Sequence, residues 1–158
     1  MALDRQWIES HIPHQGGMCL LDEVLTWNSV RAQCRSSTHR DISNPLRSRD
    51  RLGAVCGIEY GAQTMAVHGA LIASRITTSH KNASVAGYIA SVRNVTLFVT
   101  RLDDVKSDLV ATAELVTGDE RTVQYDFSVS GDGRVLVAGR ATIVFNAALR
   151  ELSQNSRT

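Results

Sequence analysis

One stretch of the chain decides its fold class: residues 54–75, which read AVCGIEYGAQTMAVHGALIASR. It is the one segment that is long enough and rich enough in helix-forming residues to predict a long central helix. One side of that helix is small and apolar apart from two polar residues. Its members are Val55, Glu59, Ala62, Gln63, Ala66, Ala70 and Ala73. Because small side chains let a sheet approach closely, we expect this side to pack against strands.

Strand-like segments lie on both sides of the predicted helix in the sequence. Residues 18–27 form a largely apolar run, and residues 29–38 alternate apolar and polar residues with the period of a half-buried strand. The segments after the helix are residues 87–100, 108–117, 122–130 and 135–145. Glycine-containing turn sequences separate the last three, which predicts consecutive hairpins. Since the helix and the strands are segregated along the chain, the order predicts an α+β fold.

Size and composition predict one domain. The chain has 158 residues, of which 43% are hydrophobic, and we place the domain in residues 1–148 and a flexible tail in residues 149–158. A net charge of +1 provides no field that would recruit nucleic acid. The sequence lacks both a signal peptide and a run of ~18 apolar residues, so we expect a cytoplasmic protein without membrane insertion.

Glu59 is the most informative single residue, because it places a charge on the helix side that is predicted to be buried. Apolar neighbours would raise its pKa, which suits a general acid. Gln63 lies one turn later on the same face, where its amide can hydrogen-bond the carboxylate. The alternative is that the wheel is rotated by one position and that Glu59 is a solvated surface residue.

Two motifs resemble those of a known enzyme family. Residues 57–63, GIEYGAQ, resemble the E-x-x-A-Q helix of the bacterial 3-hydroxyacyl-ACP dehydratases of the FabZ type, with Glu59, Ala62 and Gln63 on matching positions. Residues 12–24, IPHQGGMCLLDEV, resemble that family's opening motif L-P-H-R-x-P-x-L-L-V-D-R-V. The chain most resembles the divergent subgroup associated with aryl-polyene and related pigment clusters. The resemblance implies the hot-dog fold, in which an antiparallel sheet wraps one long helix.

The chain departs from this family at the catalytic base. Family members carry a histidine fourteen positions before the helix glutamate, where this chain has Pro45, and their proline-glycine before the helix is also altered. We therefore predict His14 as the base, because it matches the histidine of the opening motif and a double glycine follows it. The alternative role for His14 is to pin the N-terminal segment through a backbone hydrogen bond. His39 is the second candidate base, although its position also suits a solvated residue at a strand end.

The resemblance implies an enzyme, a hydro-lyase that eliminates water from a 3-hydroxyacyl thioester in fatty-acid or polyene biosynthesis. His14 and Glu59 would be its catalytic residues, with no metal and no organic cofactor. In the resembling enzymes the catalytic pair is split across a dimer, so His14 is expected to approach Glu59 of a second chain. The alternatives are a hot-dog acyl thioesterase and a non-catalytic subunit that binds acyl-ACP.

The remaining predictions concern substrate and partners. The expected partners are an acyl carrier protein and a second hot-dog chain, identical or related, paired along residues 87–100. The first amides of the helix would point at the thioester oxygen, and arginines in the preceding loop would contact the pantetheine phosphate or the carrier protein. An ordinary solvated loop is the alternative. The substrate-binding candidates are Gly53, Ala54, Gly57 and Gln63, together with Arg47, Arg49 and Arg51.

Overall fold

The structure of the chain is a computed structural model that describes residues 2–76 and 87–145. A long helix packs on a six-stranded antiparallel sheet, whose strands are arranged in the order β1-β2-β4-β5-β6-β3. The elements are α1 (Arg5–His11), β1 (Glu23–Trp27), β2 (Arg31–Ser36), α2 (Gly57–Ile76), β3 (Gly87–Leu97), β4 (Leu109–Gly118), β5 (Thr122–Gly131) and β6 (Arg134–Phe145). This arrangement confirms the predicted α+β class and the hot-dog fold.

The predicted hairpins are present, but the first strand begins later than expected. β1 pairs with β2, and β4, β5 and β6 pair in succession, all antiparallel. Residues 18–27 were predicted to form the first strand, but β1 includes only Glu23–Trp27. Residues Gly16–Met18 form a 3-10 turn, and the side chains of Cys19, Leu20 and Leu21 that follow it are buried. Side chains satisfy the backbone of Leu20 there, since Gln63 binds its amide and Thr38 binds its carbonyl.

The helix turns a different side to the core from the one predicted. Val55 is 59% exposed and the alanines of that side are half-buried or exposed. The buried side chains are Tyr60, Gln63, Thr64, Met65, Val67, His68 and Leu71. Glycines, rather than alanines, provide the close approach to the sheet. A Cβ on Gly57 would lie 2.7 Å from Val137 Cγ2, and one on Gly61 would lie 2.6 Å from Phe127 Cδ2.

One edge of the sheet is exposed and apolar. β3 is the last strand in the sheet order, as predicted for residues 87–100, and β6 is its sheet neighbour. Its apolar side chains and the adjoining Phe98 reach solvent. No helix within residues 2–76 and 87–145 has the length and hydropathy needed to cross a membrane. The predicted tail, residues 149–158, lies outside the described residues, so the single-domain boundaries stay a prediction.

The two glycines of α2 at positions 61 and 69 make a matched pair for testing the close helix–sheet contact. Gly61→Ala should lower the free energy of unfolding by about 1–3 kcal/mol, because the new methyl group would overlap the Phe127 ring. Gly69→Ala meets no atom within 4 Å and should raise it by about 0.5–1 kcal/mol. Urea denaturation at one protein concentration measures both values. Equal effects of the two substitutions would contradict the close contact.

Candidate active site

His14 and Glu59 contact each other within one chain. Nε2 of His14 lies 3.0 Å from Oε1 of Glu59, and the two side chains are 26% and 32% exposed. The pairing was expected between two chains, and that expectation is wrong. The segment that follows α1 folds over the first turn of α2, so a single chain brings together an imidazole and a carboxylate at a partly open surface.

The side-chain amide of Gln63 binds Glu59 and the segment that follows His14. Its Nε2 donates to Oε1 of Glu59 at 3.1 Å, which confirms the predicted bond, and to the carbonyl of Met18 at 2.7 Å. Its Oε1 accepts from the amide of Leu20 at 2.9 Å. Both donors and the acceptor are thus engaged inside the protein, and the residue is fully buried. Gln63 therefore positions Glu59 and the segment before β1, which corrects its predicted role as a substrate ligand.

The pKa of Glu59 is lowered from its ordinary value, which is the opposite of the predicted direction. The hydrogen bond from His14 is the largest cause, and the bond from Gln63 acts in the same direction, whereas burial opposes both. The carboxylate is thus the stable form, and a carboxylate requires a proton on Nε2 of His14. Nδ1 of His14 is buried and has no partner among the described residues. A neutral His14 then carries its free lone pair on Nδ1, the arrangement of a base that a carboxylate orients.

His39 lies elsewhere, against a neighbouring loop. It was expected to be solvated, but its ring is fully buried and its Nε2 lies 3.0 Å from the carbonyl of Val105. Burial lowers its pKa. The prediction failed because the 3-10 turn Thr38–Arg40 directs the ring inwards instead of continuing β2. This contact gives His39 a role in anchoring the loop that begins beside it, and His14 is the histidine that contacts Glu59.

The amides at the start of the helix are largely occupied. The amide of Ala54 donates to the carbonyl of Thr100 at 3.1 Å, and that of Gly57 donates to carbonyls of the preceding 3-10 turn. Gly53 forms a β-bridge with Arg101. Ala54 and Gly57 therefore do not offer free donors to a thioester oxygen, contrary to the prediction. The fixed role of Gly57 is the close contact with β6 described above.

The three loop arginines occupy the tip of the loop before α2. Arg47 donates to the carbonyl of Asp50 at 2.9 Å, while Arg49 and Arg51 are exposed. Arg49 and Asp50 both have positive φ, at 54° and 61°, and form a tight turn that Ser48 and Arg51 close. The structure does not bring the arginines to His14 and Glu59 as direct neighbours. Their predicted contact with substrate stays a prediction.

A buried hydroxyl cluster under this loop was missed by sequence reasoning. The hydroxyl of Tyr60 lies 2.8 Å from Oγ1 of Thr38 and accepts from Nδ2 of Asn44 at 3.1 Å. Asn44 also donates to the carbonyl of Thr38 at 2.9 Å, so the loop is tied to the second turn of the helix. Tyr60, which follows Glu59 in the predicted helix, could have indicated this cluster, because a buried tyrosine hydroxyl usually has a hydrogen-bond partner.

Comparison with known proteins supplies the family. A family model for ApeP-like proteins, described as the ApeP dehydratase, matches residues 6–154. Among solved structures, a dehydratase heterocomplex ApeI:P from Xenorhabdus doucetiae aligns with a TM-score of 0.77 and 25% identity, covering 92% of this chain and 95% of that one. A mutant thioesterase from Staphylococcus aureus aligns with a TM-score of 0.57 and 12% identity, covering 78% and 91% of the two chains. That second likeness shows the fold alone. No curated protein matches the chain in a sequence comparison.

The lowered pKa of Glu59 predicts a specific acid response. A carboxyl group whose pKa is lower in the folded state adds stability above its unfolded-state pKa and loses it as the pH falls through the folded-state pKa. His14→Ala removes the main cause of the lowering, so the pKa of Glu59 should rise and this acid-dependent part of the stability should shrink.

The measurement is an NMR titration of the Glu59 carboxyl carbon in both proteins. His11→Ala is the matched control, because the ring of His11 stacks on Trp7 and bonds its carbonyl rather than a carboxylate. An unchanged Glu59 titration in His14→Ala would refute the contact.

Proposed function

The chain belongs to the ApeP-like dehydratase family, and we propose that it eliminates water from a 3-hydroxyacyl thioester with His14 and Glu59 as catalytic residues. Family membership confirms the enzyme class predicted from the sequence, a hydro-lyase. The observation that carries the choice of residues is the 3.0 Å contact between His14 Nε2 and Glu59 Oε1. It supplies an oriented base in a chain that has Pro45 at the position of the usual loop histidine.

The proposed reaction uses one imidazole twice. Nδ1 of His14 removes the C2 proton of the substrate; this atom is buried in the free chain, so substrate binding must uncover it. The electron pair then forms the C2–C3 double bond as the C3–O bond breaks. The imidazolium then returns its proton to the departing hydroxyl, which leaves as water. Glu59 orients the ring and stabilises its positive charge, because its lowered pKa keeps it ionised. This assignment replaces the acid role first predicted for Glu59.

Hydrolysis of the thioester is the rival reaction. It would require the Glu59 carboxylate to activate water, but the hydrogen bonds from His14 and Gln63 lower the pKa of Glu59 and so make it a weaker base. The thioesterases with similar structures share only 12–13% identity with this chain, so they carry no argument about chemistry. A non-catalytic, acyl-binding subunit would leave the oriented pair without a use.

The substrate is proposed to arrive on an acyl carrier protein. Carrier proteins present an acidic surface and a phosphopantetheine arm, and guanidinium groups suit both. Arg49 and Arg51 are exposed on the loop that Tyr60 anchors, and Arg47 supports the turn between them. This loop precedes the helix that carries Glu59, so we place the carrier protein on that side of the site.

The proposed second subunit is a related hot-dog chain. The structure of this chain is similar to that of a chain from a dehydratase heterocomplex. In this chain β3 offers an open edge, and its apolar side chains are exposed: 51% for Tyr88 and 46% for Leu97. The alanine side of α2, which the sheet does not cover, is also half-buried or exposed. Pairing along β3 would bury the apolar side chains of this edge. The cytoplasmic location stays a prediction.

Substitution of the catalytic pair tests the proposed function. With 3-hydroxyacyl-ACP as substrate, wild-type protein should form the enoyl thioester, and His14→Ala should lower kcat by about 10²–10⁴-fold because the base is lost. Glu59→Gln keeps the shape of the side chain but loses the charge, so it should lower kcat as well. Mass spectrometry of the acyl-ACP distinguishes an enoyl product from the free acid of hydrolysis.

His11→Ala is the control for this assay and should retain wild-type kcat. Release of a free acid by the wild type would support the thioesterase. Full turnover in His14→Ala would remove His14 from the mechanism. An inactive wild type, assayed with the related subunit present, would support the non-catalytic reading.

A charge on the open edge tests the subunit interface. Leu97→Lys should weaken pairing along β3 and shift the mass measured by light scattering towards a monomer, because a buried ammonium group without a partner is costly. Val116→Lys, on β4 and with 45% exposure against 46% for Leu97, is the matched control and should keep the wild-type mass. Measurement with and without the related subunit separates a mixed dimer from a homodimer. A wild-type mass for Leu97→Lys would exclude β3 as the interface.

A further inference from the structure

The loop that carries His14, residues 13–19, depends on side chains from other elements for its position. Two backbone hydrogen bonds close the loop on itself, from Met18 to Gln15 and from Cys19 to Gly16, each 3.1 Å long. Gly16 adopts a φ of +57°, which favours glycine. These features shape the turn, but they do not attach it to α2. The Gln15 side chain ties the loop to the end of α1, since its Nε2 donates to the carbonyls of Glu9 and Ile12. The position of His14 relative to Glu59 then also depends on side chains of other elements that bind carbonyl groups of the loop.

Arg5 on α1 makes two of these contacts. Its Nη2 donates to the carbonyl of Cys19 at 2.6 Å and to the carbonyl of Gly16 at 3.1 Å. Its Nε lies 3.3 Å from Oε1 of Glu9, and its Nη1 lies 3.5 Å from Oδ1 of Asp22. The guanidinium group thus spans the end of the His14 loop while two carboxylates hold it in place. An ammonium group cannot reproduce this planar fork.

Gln63 on α2 binds the same loop. It donates to the carbonyl of Met18, which lies between the two carbonyls that Arg5 binds. Asp22 extends the connection, since its Oδ2 accepts from the amide and the hydroxyl of Ser37 at 2.7 and 2.8 Å, where the chain enters the arginine-bearing loop. The two loops beside the site are therefore attached to one cluster of charges.

We propose that Arg5 is a positioning residue that holds the His14 loop so that His14 meets Glu59. This inference rests on the proposed function of His14 and adds a residue outside both family motifs. Arg5 touches neither of the two catalytic side chains and acts through the carbonyls of Gly16 and Cys19. Small displacements of a base cost much of its rate, since proton transfer requires hydrogen-bond distance to the substrate.

The first test is kinetic, on the full chain with the related subunit present. Arg5→Met should lower kcat at least about tenfold with little change in KM, because the base is misplaced while the carrier protein still binds. Arg5→Lys keeps the charge and should recover part of kcat. Arg140→Met is the matched control, since Arg140 forms a comparable pair with Asp126 on the sheet at 2.7 and 3.2 Å.

The second test does not depend on activity. NMR titration of the Glu59 carboxyl carbon should show a raised pKa in Arg5→Met, in the same direction as in His14→Ala, and no change in Arg140→Met. A purely structural role would lower the unfolding midpoint without moving this titration. If Arg5→Met does not fold, Arg5→Lys serves for the same measurement, with a smaller shift in the same direction.

The outcomes separate this inference from the proposed function. A raised Glu59 pKa in the Arg5 variants of a chain that forms no enoyl product would support positioning and reject the dehydratase mechanism. An unchanged Glu59 pKa together with wild-type kcat in Arg5→Met, in a chain that His14→Ala inactivates, would overturn the role of Arg5 alone.

Discussion

The buried amide of Gln63 is the interaction on which the rest of the site depends. It connects the helix to the carbonyl of Met18, to the amide of Leu20 and to the carboxylate of Glu59. Burying this amide without hydrogen-bond partners would cost free energy of folding. The three hydrogen bonds therefore allow Gln63 to be buried. They fix the register between the segment before β1 and the second turn of α2. His14 meets Glu59 because that register is fixed.

The helix–sheet contact explains why the site is on an open side of the molecule. Gly57 and Gly61 let β5 and β6 approach the helix backbone, and larger side chains such as Tyr60 fill the space around them. The side with the alanines then points away from the core, and Glu59 lies at its border. This side is therefore available to the second subunit proposed above.

The same contacts also determine that Glu59 is ionised. The donors that hold Glu59 also stabilise its ionised form, so the carboxylate is suited to orienting an imidazole rather than to supplying a proton. In the proposed mechanism, His14 replaces the loop histidine that Pro45 displaces, and this requires that the His14 loop is held firmly. Arg5 and Gln63 bind the segment from Gly16 to Leu20, and Asp22 contacts the guanidinium group of Arg5.

The sequence by itself determined the order of elements, the hot-dog class, the approach of His14 to a Glu59 carboxylate and the bond between Glu59 and Gln63. These features depend on periodicity, motif spacing and residues one helical turn apart, which are local properties. Only the tertiary structure decided which side of α2 is buried, that His14 meets Glu59 in the same chain, that the pKa of Glu59 falls, and that His39 is buried against Val105. Burial and pKa depend on groups that are distant in the sequence, such as Phe127 beside Gly61, and a local pattern carries no information about them.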